Sequence, residues 1–206
     1  MLPQPDADPP AESGAEYSVD ERRFLLKLAH DAISAALQGQ EVDTSPPCEH
    51  LAEKRGAFTT LHRQGQLRGC VGYVFPVRSL ARTVAETAVA AALHDTRFLP
   101  LSPEEAGEID VEISVLSQLQ PIAPEDVEVG RHGLVVTLGA RRGLLLPQVP
   151  VEYGWDRETF LSETCHKAGL PGDAWQHGAT VEAFTAEVFS EAPGRRCATT
   201  PEPANL

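Results

Sequence analysis

A cationic side chain and a thiol lie two positions apart in a short segment that otherwise has the pattern of a β-strand. Residues 67–72 have the sequence LRGCVG. Because side chains alternate between the two faces of a strand, Arg68 and Cys70 should project from one face, about 6.5–7 Å apart. A guanidinium group at that spacing can reach the sulfur, and a nearby positive charge favours the reactive thiolate. The segment therefore predicts a functional cysteine, against the commoner alternative of a small buried hydrophobe.

Two glycines flank this cysteine. Gly72 should lie on the same face as Cys70, where the lack of a side chain leaves room for a ligand or for another stretch of backbone. Gly69 immediately precedes the cysteine. We predict that both glycines belong to a binding surface around the thiol.

Other polar side chains interrupt apolar elements and are further candidates. Glu112 lies in the middle of an apolar strand pattern, and His132 enters another strand. Either residue could transfer protons, although a half-solvated sheet face and a histidine packed in a turn are the commoner explanations. Asp95 and Arg97 follow an alanine-rich helix and should either pair with each other or orient a ligand. Gln148 can satisfy the backbone or bind a substrate through its amide.

The charge and the apolar pattern of the chain limit its partners. The chain has 206 residues and a formal net charge of −13. A duplex-binding protein needs a basic face, so we expect no long nucleic-acid surface, whereas a small ligand or nucleotide site remains open. No apolar run approaches the roughly 18 residues of a membrane span, and the first residues lack the basic and apolar parts of a secretion signal. We therefore expect a cytoplasmic protein without membrane contacts.

Metal and cofactor sites are not predicted. Residues 48–50, Cys-Glu-His, are the only close spacing of zinc ligands, and no second pair matches them. The chain has no GxGxxG after a strand, no GxxxxGK[ST], no HExxH and no GxSxG. It also lacks the CxxxCxxC spacing of radical S-adenosylmethionine enzymes. We therefore expect neither a bound metal nor a cofactor.

The elements that position these residues mix helices and strands without a regular strand–helix–strand repeat. A capping box at 18–21 begins the first helix, which should end near Gly39. Further helices are predicted at 79–93 and 156–168, with a helix start at 102–105, and strands at 56–62, 67–74, 109–116, 133–138, 143–146 and 180–189. This order predicts an α+β fold with a largely antiparallel sheet flanked by helices. Residues 17–191 should form one domain between flexible tails at 1–16 and 192–206.

Several motifs along the chain resemble those of the AMME syndrome candidate-gene family, whose prokaryotic members are called AmmeMemoRadiSam system protein A. LRGCVG is similar to the LRGCIG motif of that family, with Val71 in place of isoleucine. The resemblance continues, in order, through 95–98, 112–116, 143–149, 154–156, 167–171 and 184–189. Thr96 departs from the proline that many members have.

The resemblance implies an α+β fold with a larger subdomain, a smaller subdomain and a cleft between them, and with the LRGC segment as the functional site. It also implies two partners, a Memo-like protein and a radical S-adenosylmethionine protein. The missing CxxxCxxC spacing fits a division of labour in which a partner generates the radical.

Three hypotheses for the function follow. In a partner-dependent modifying enzyme, Cys70 would be a nucleophile or a thiol acid/base, with Arg68 lowering its pKa and Glu112 or His132 moving protons. In a non-catalytic module, Arg68 would anchor an anion while the cleft holds a nucleotide, a modified base or a peptide. In a purely structural interpretation, Cys70 packs in the core and the glycines allow close contact between strands.

Overall fold

Residues 15–191 are those that the computed structural model describes. Of the predicted tails at 1–16 and 192–206, residues 1–14 and 192–206 lie outside them. The helices are α1 (Val19–Leu37), α2 (Glu49–Ala52), α3 (Leu80–Leu93), α4 (Gln148–Glu152) and α5 (Arg157–Lys167). The strands are β1 (Ala57–Arg63), β2 (Gln66–Tyr73), β3 (Ile109–Leu116), β4 (Gln120–Pro121), β5 (Gly133–Leu138), β6 (Arg141–Leu145), β7 (Thr180–Phe184) and β8 (Ala186–Ser190).

The strands form two four-stranded sheets, and every pairing within them is antiparallel. The first sheet has the order β2-β1-β3-β8, and the second has the order β4-β7-β5-β6. The α+β class with antiparallel pairing is therefore confirmed, with two sheets where the sequence predicted one. Among residues 15–191, no helix combines the length and the apolar character that crossing a membrane requires.

Helices α1 and α3 cover one face of the first sheet, which we call its inner face. The predicted capping box begins α1: Ser18 Oγ accepts the Glu21 N–H, and the Glu21 carboxylate accepts the Ser18 N–H at 2.8 Å. The helix then buries one apolar stripe in the same cluster as the inner-facing residues Leu61 and Ile113. This cluster is the main core of the protein, and burying it fixes which face of the sheet is left for polar side chains.

The second sheet packs against α5. Leu134 and Val136 of β5 share a buried cluster with Phe160 and Leu161 of the helix. Cys165 is fully buried in the same cluster, as predicted from its position on the helix.

The predicted strand 180–189 is wrong as a single element, because the chain changes sheets at Thr185. Residues before this point form β7 in the second sheet, and residues after it form β8 in the first. Ser117, where the chain crosses in the other direction, meets Thr185: the Ser117 N–H donates to the Thr185 carbonyl oxygen, and the Thr185 N–H donates to Ser117 Oγ, both at 2.9 Å.

An apolar cluster joins the two sheets around Leu116, Val135 and Phe184, with Phe58 packed against it. The sheets are therefore in contact on the side of the first sheet that α1 and α3 leave open. The expected cleft between a larger and a smaller subdomain stays a prediction.

Candidate functional site

Cys70, Thr60 and Glu112 form a row across three neighbouring strands of the first sheet. Thr60 in β1 is the register partner of Cys70 in β2 and of Glu112 in β3. Register partners project from the same face, and this face is opposite to the one that buries Leu61 and Ile113. The three residues, called here the polar row, thus lie on the outer face of the sheet. Two strand spacings separate Cys70 from Glu112, which is about 10 Å between their Cβ atoms.

The Cys70 thiol is partly exposed, and burial raises its pKa above the ordinary value. The Thr60 hydroxyl, which donates to Cys70 Sγ across 3.3 Å, and the positive charge of Arg97 oppose this shift. The negative charges of Asp95 and Glu112 add to it. Near neutral pH the group is therefore a thiol, and any reaction that needs the thiolate also needs a proton acceptor.

Arg68 does not occupy the position that strict alternation predicts, because β2 contains a bulge. Leu61 pairs with Gly69, whereas the next residue of β1, His62, pairs with Leu67. Arg68 is the extra residue, and an extra residue breaks the alternation of side chains between the two faces.

The guanidinium group of Arg68 binds Glu105, with 3.0 Å between Nη2 and Oε2. Arg63 binds the same carboxylate at 2.8 Å. The hydrogen bond from Arg68 is the main cause that lowers the pKa of Glu105 to about 2, so this ion pair persists at neutral pH. The structure corrects the expected geometry: Arg68 pairs with Glu105, and the cation that acts on the Cys70 thiol is Arg97.

Asp95 and Arg97 pair with each other, one of the two outcomes that the sequence allowed, and both contact the backbone of Cys70. The Cys70 N–H donates to Asp95 Oδ2 at 2.8 Å, and Arg97 Nη2 donates to the Cys70 carbonyl oxygen at 3.1 Å. Burial alone would raise the pKa of Asp95, but the bonds from Arg97 and from the Cys70 N–H lower it below its usual value. The carboxylate is therefore ionised at neutral pH.

His62 is a histidine near the polar row that sequence analysis missed. It lies two positions after Thr60 in β1 and so projects from the same face. Burial raises the pKa of Glu112, and the charge of His62 on the same face opposes that shift. Nε2 of His62 is buried without a hydrogen-bond partner among residues 15–191. His62 could have been found from the alternation of side chains along β1 together with the register between β1 and β2.

The two glycines leave room for other parts of the protein. A Cβ atom at Gly69 would collide with the carbonyl oxygen of Ala91 in α3, and one at Gly72 would collide with the ring of Phe58. Gly69 therefore permits the close approach of α3 to β2, and the Phe58 ring lies over Gly72 beside the polar row.

His132 and Gln148 lie with the second sheet. Nδ1 of His132 accepts the Glu128 N–H at 3.0 Å in the turn that precedes β5. Gln148 is the exposed first residue of α4. Within the part of the chain that the structure describes, neither residue hydrogen-bonds to the polar row, and no group of three or more His, Cys, Asp and Glu side chains is arranged to hold a metal ion.

Comparison with known proteins gives the family. The family model described as AMMECR1 matches residues 26–189. The chain belongs to the AMMECR1 family. It is 45% identical over 190 residues to a protein of Methanopyrus kandleri, covering 86% of this chain and 92% of that one. It is 46% identical over 184 residues to a protein of Thermococcus gammatolerans, covering 82% and 89%.

The fold is shared with the crystal structure of an uncharacterized protein from Pyrococcus horikoshii. The TM-score is 0.68 at 44% identity, and the match covers 82% of this chain and 90% of that chain. The resemblance of the motifs to the AMME syndrome candidate-gene family is thus confirmed.

Proposed function

We propose that this AMMECR1-family protein is a thiol-dependent modifying enzyme whose reaction takes place at the polar row, with Cys70 as the nucleophile or thiol acid/base. The observation that carries the proposal is the alignment of Cys70, Thr60 and Glu112 on one half-buried sheet face. A thiol, a hydroxyl and a carboxyl group are the groups that covalent and acid–base chemistry uses, and within residues 15–191 the Glu112 carboxylate forms no ion pair.

The three residues of the polar row and the neighbouring His62 each have a distinct role in the proposed reaction. Sulfur adds to the carbon of a C=O or C=N bond of the substrate: the S–C bond forms as the π electron pair moves onto the oxygen or nitrogen, and the S–H proton passes to a base on the same face. The Thr60 hydroxyl already points at the sulfur and stabilises the thiolate as it forms. Glu112 and His62 are the proton acceptors on the same face, and the two strand spacings between Cys70 and Glu112 mean that a proton reaches Glu112 through a water. The raised pKa of Glu112 brings it closer to the range in which it can also return the proton.

The proposed partner proteins and the proposed cellular location are those that the family resemblance implies. We propose that the enzyme acts in the cytoplasm with a Memo-like protein and a radical S-adenosylmethionine protein. The chain has no CxxxCxxC spacing of its own, which supports a system in which a partner generates the radical and this chain performs a thiol-dependent step.

A non-catalytic binding module is the second candidate, and the raised pKa of Cys70 favours it. A neutral thiol binds ligands through packing and a weak hydrogen bond. The ligand would then be a nucleotide, a modified base or a peptide, held on the outer face of the first sheet. Arg68 is paired with Glu105 and Arg97 with Asp95, but the Arg97 side chain is 34% exposed against 14% for Arg68, so Arg97 is the guanidinium better placed to contact an anionic group.

Profiling metabolites and RNA modifications in a deletion strain separates the two functions. The strain is complemented with the wild-type gene, with Cys70→Ser, with Glu112→Gln, or with Cys48→Ser as a control for an exposed cysteine outside the row. The enzyme hypothesis expects the wild type and Cys48→Ser to restore the profile and the two row variants to fail at normal protein levels. Full restoration by Cys70→Ser would contradict it and support the binding module.

A further inference from the structure

We infer that Asp95 and Arg97 are positioning residues that hold the backbone of Cys70 at the open edge of β2. The inference deepens the proposed function and rests on it, because it concerns the residue that would react. The sequence pattern offered ligand binding as one role for this pair. The contacts of the pair, however, are with the strand itself.

Because β2 is an edge strand, some of its backbone groups have no partner strand and need other hydrogen-bond partners. β2 is the outermost strand of the first sheet. Register pairs in an antiparallel sheet alternate, and in every second pair the N–H and C=O groups point away from the neighbouring strand. Both backbone groups of Cys70 bond to side chains after α3, so the Cys70–Thr60 pair is of this second kind. Without those side chains the groups would be open to water or to another strand.

The two side chains replace the missing strand with a closed ring of hydrogen bonds, called here the edge clamp. The Cys70 N–H donates to Asp95 Oδ2, Arg97 Nη2 donates to the same oxygen at 2.8 Å, and Arg97 Nη2 also donates to the Cys70 carbonyl oxygen. The Arg97 backbone N–H donates to Asp95 Oδ1 at 3.2 Å. The Asp95 side chain is only 6% exposed, so its carboxylate is shielded from water.

The clamp also places two opposite charges beside the thiol. Arg97 favours the thiolate, whereas Asp95 and, from β3, Glu112 disfavour it. Removing either charge of the clamp should therefore change the reactivity of Cys70 in a direction set by the sign of the charge. Simple loosening of the strand would instead expose the thiol and speed its reaction in both cases.

The pH dependence of Cys70 alkylation by iodoacetamide tests this charge effect. Near neutral pH, Asp95→Asn should alkylate about threefold faster than wild type and Arg97→Gln about threefold slower, with the midpoints of the pH–rate profiles moving in opposite directions. Arg82→Gln, which breaks the exposed pair with Glu86 on α3, is the matched control and should leave the profile unchanged. Shifts of the two clamp variants in the same direction, or no shift in either, would refute the charge effect of the clamp on the thiol.

Amide hydrogen exchange measured by NMR tests the clamp independently of thiol reactivity. In Asp95→Ala, the Cys70 amide should exchange at least about tenfold faster than in wild type. The Thr60 amide, which points away from β2 and towards β3, should keep its rate. An unchanged Cys70 rate would refute the clamp. If the wild-type thiol does not alkylate at all, the proposed enzyme function fails, and the exchange rates still decide whether Asp95 holds the strand.

Discussion

Replacing Thr60 with valine should make Cys70 a weaker acid and a slower nucleophile. Valine keeps the shape of the side chain, and Thr60 is only 7% exposed, so the main change is the loss of the hydroxyl that donates to Cys70 Sγ. A hydrogen bond of this kind contributes about 1 kcal/mol net. About 1.4 kcal/mol corresponds to one pKa unit, so the pKa of Cys70 should rise by about 0.7.

The assay is the rate of iodoacetamide alkylation of Cys70 as a function of pH, read by peptide mapping. Below the pKa the rate follows the thiolate fraction, so Thr60→Val should react about fivefold more slowly near neutral pH. Urea unfolding of both proteins checks that the variant is folded during the measurement.

Thr59→Val is the matched control, because Thr59 lies next to Thr60 in β1 and projects from the opposite face. Its hydroxyl contacts that of Thr87 at 2.8 Å, and the Thr87 hydroxyl also bonds to backbone carbonyl oxygens of α3. This variant should lose some stability and keep the wild-type pH–rate profile. A wild-type profile in Thr60→Val, or an equal shift in both variants, would refute the effect of the Thr60 hydroxyl on the pKa of Cys70.

Three further predictions concern stability. Gly69→Ala should destabilise the protein by about 1–3 kcal/mol in urea unfolding, because the new Cβ collides with the Ala91 carbonyl oxygen, while Gly107→Ala, which meets no atom within 4 Å, should change far less. Because the pKa of Glu105 is lowered, its ion pairs should add to the free energy of unfolding above the ordinary pKa of 4.5, and this contribution should be lost as pH falls towards 2. Glu105→Gln should lower the free energy of unfolding by about 1 kcal/mol at neutral pH and reduce its decline between pH 4.5 and 2. A chain of residues 15–192 should melt within about 5 °C of the full chain.

Each of these stability predictions has a contrary outcome. Equal losses in the two glycine variants would mean that the approach of α3 to β2 is not the cause. If the free energy of unfolding of Glu105→Gln fell with acid pH as steeply as that of the wild type, the Arg68–Glu105 pair would not contribute to pH-dependent stability. A larger drop in melting temperature for the shortened chain would mean that the predicted tails support the fold.

Local signals in the sequence predicted much of the secondary structure. The capping box at Ser18 and the apolar stripe after it located α1 within a few residues. The segment after Ser102 was predicted as a helix start, and it forms only a short 3-10 turn at Glu105–Gly107. The apolar residues there are too few to stabilise a longer helix by packing.

The change of sheet at Thr185 was not predictable from alternation. The residues on both sides of it have strand patterns, and nothing local shows that the two halves pair with different neighbours. The bulge at Arg68 was missed for a similar reason, since it is defined by pairing with β1 rather than by the residues of β2 alone.

Part of the candidate site was found from residue types, and the rest depended on register between distant strands. Cys70 was found because its neighbours are unusual, and Glu112 because it interrupts an apolar strand. Thr60 and His62 became candidates only once β1 was aligned between β2 and β3. The contacts of Asp95 with the Cys70 backbone required knowledge that β2 is an edge strand.

Brief alkylation of the native protein near neutral pH, followed by peptide mapping, tests the central claim most directly. Cys48 is exposed, Cys70 is partly exposed and Cys165 is fully buried. A reaction site at the polar row predicts that Cys70 is modified well before Cys165 and that Thr60→Val slows the modification of Cys70 alone. A Cys70 that stays unlabelled until the protein unfolds would contradict the claim and leave the cysteine as a packed core residue.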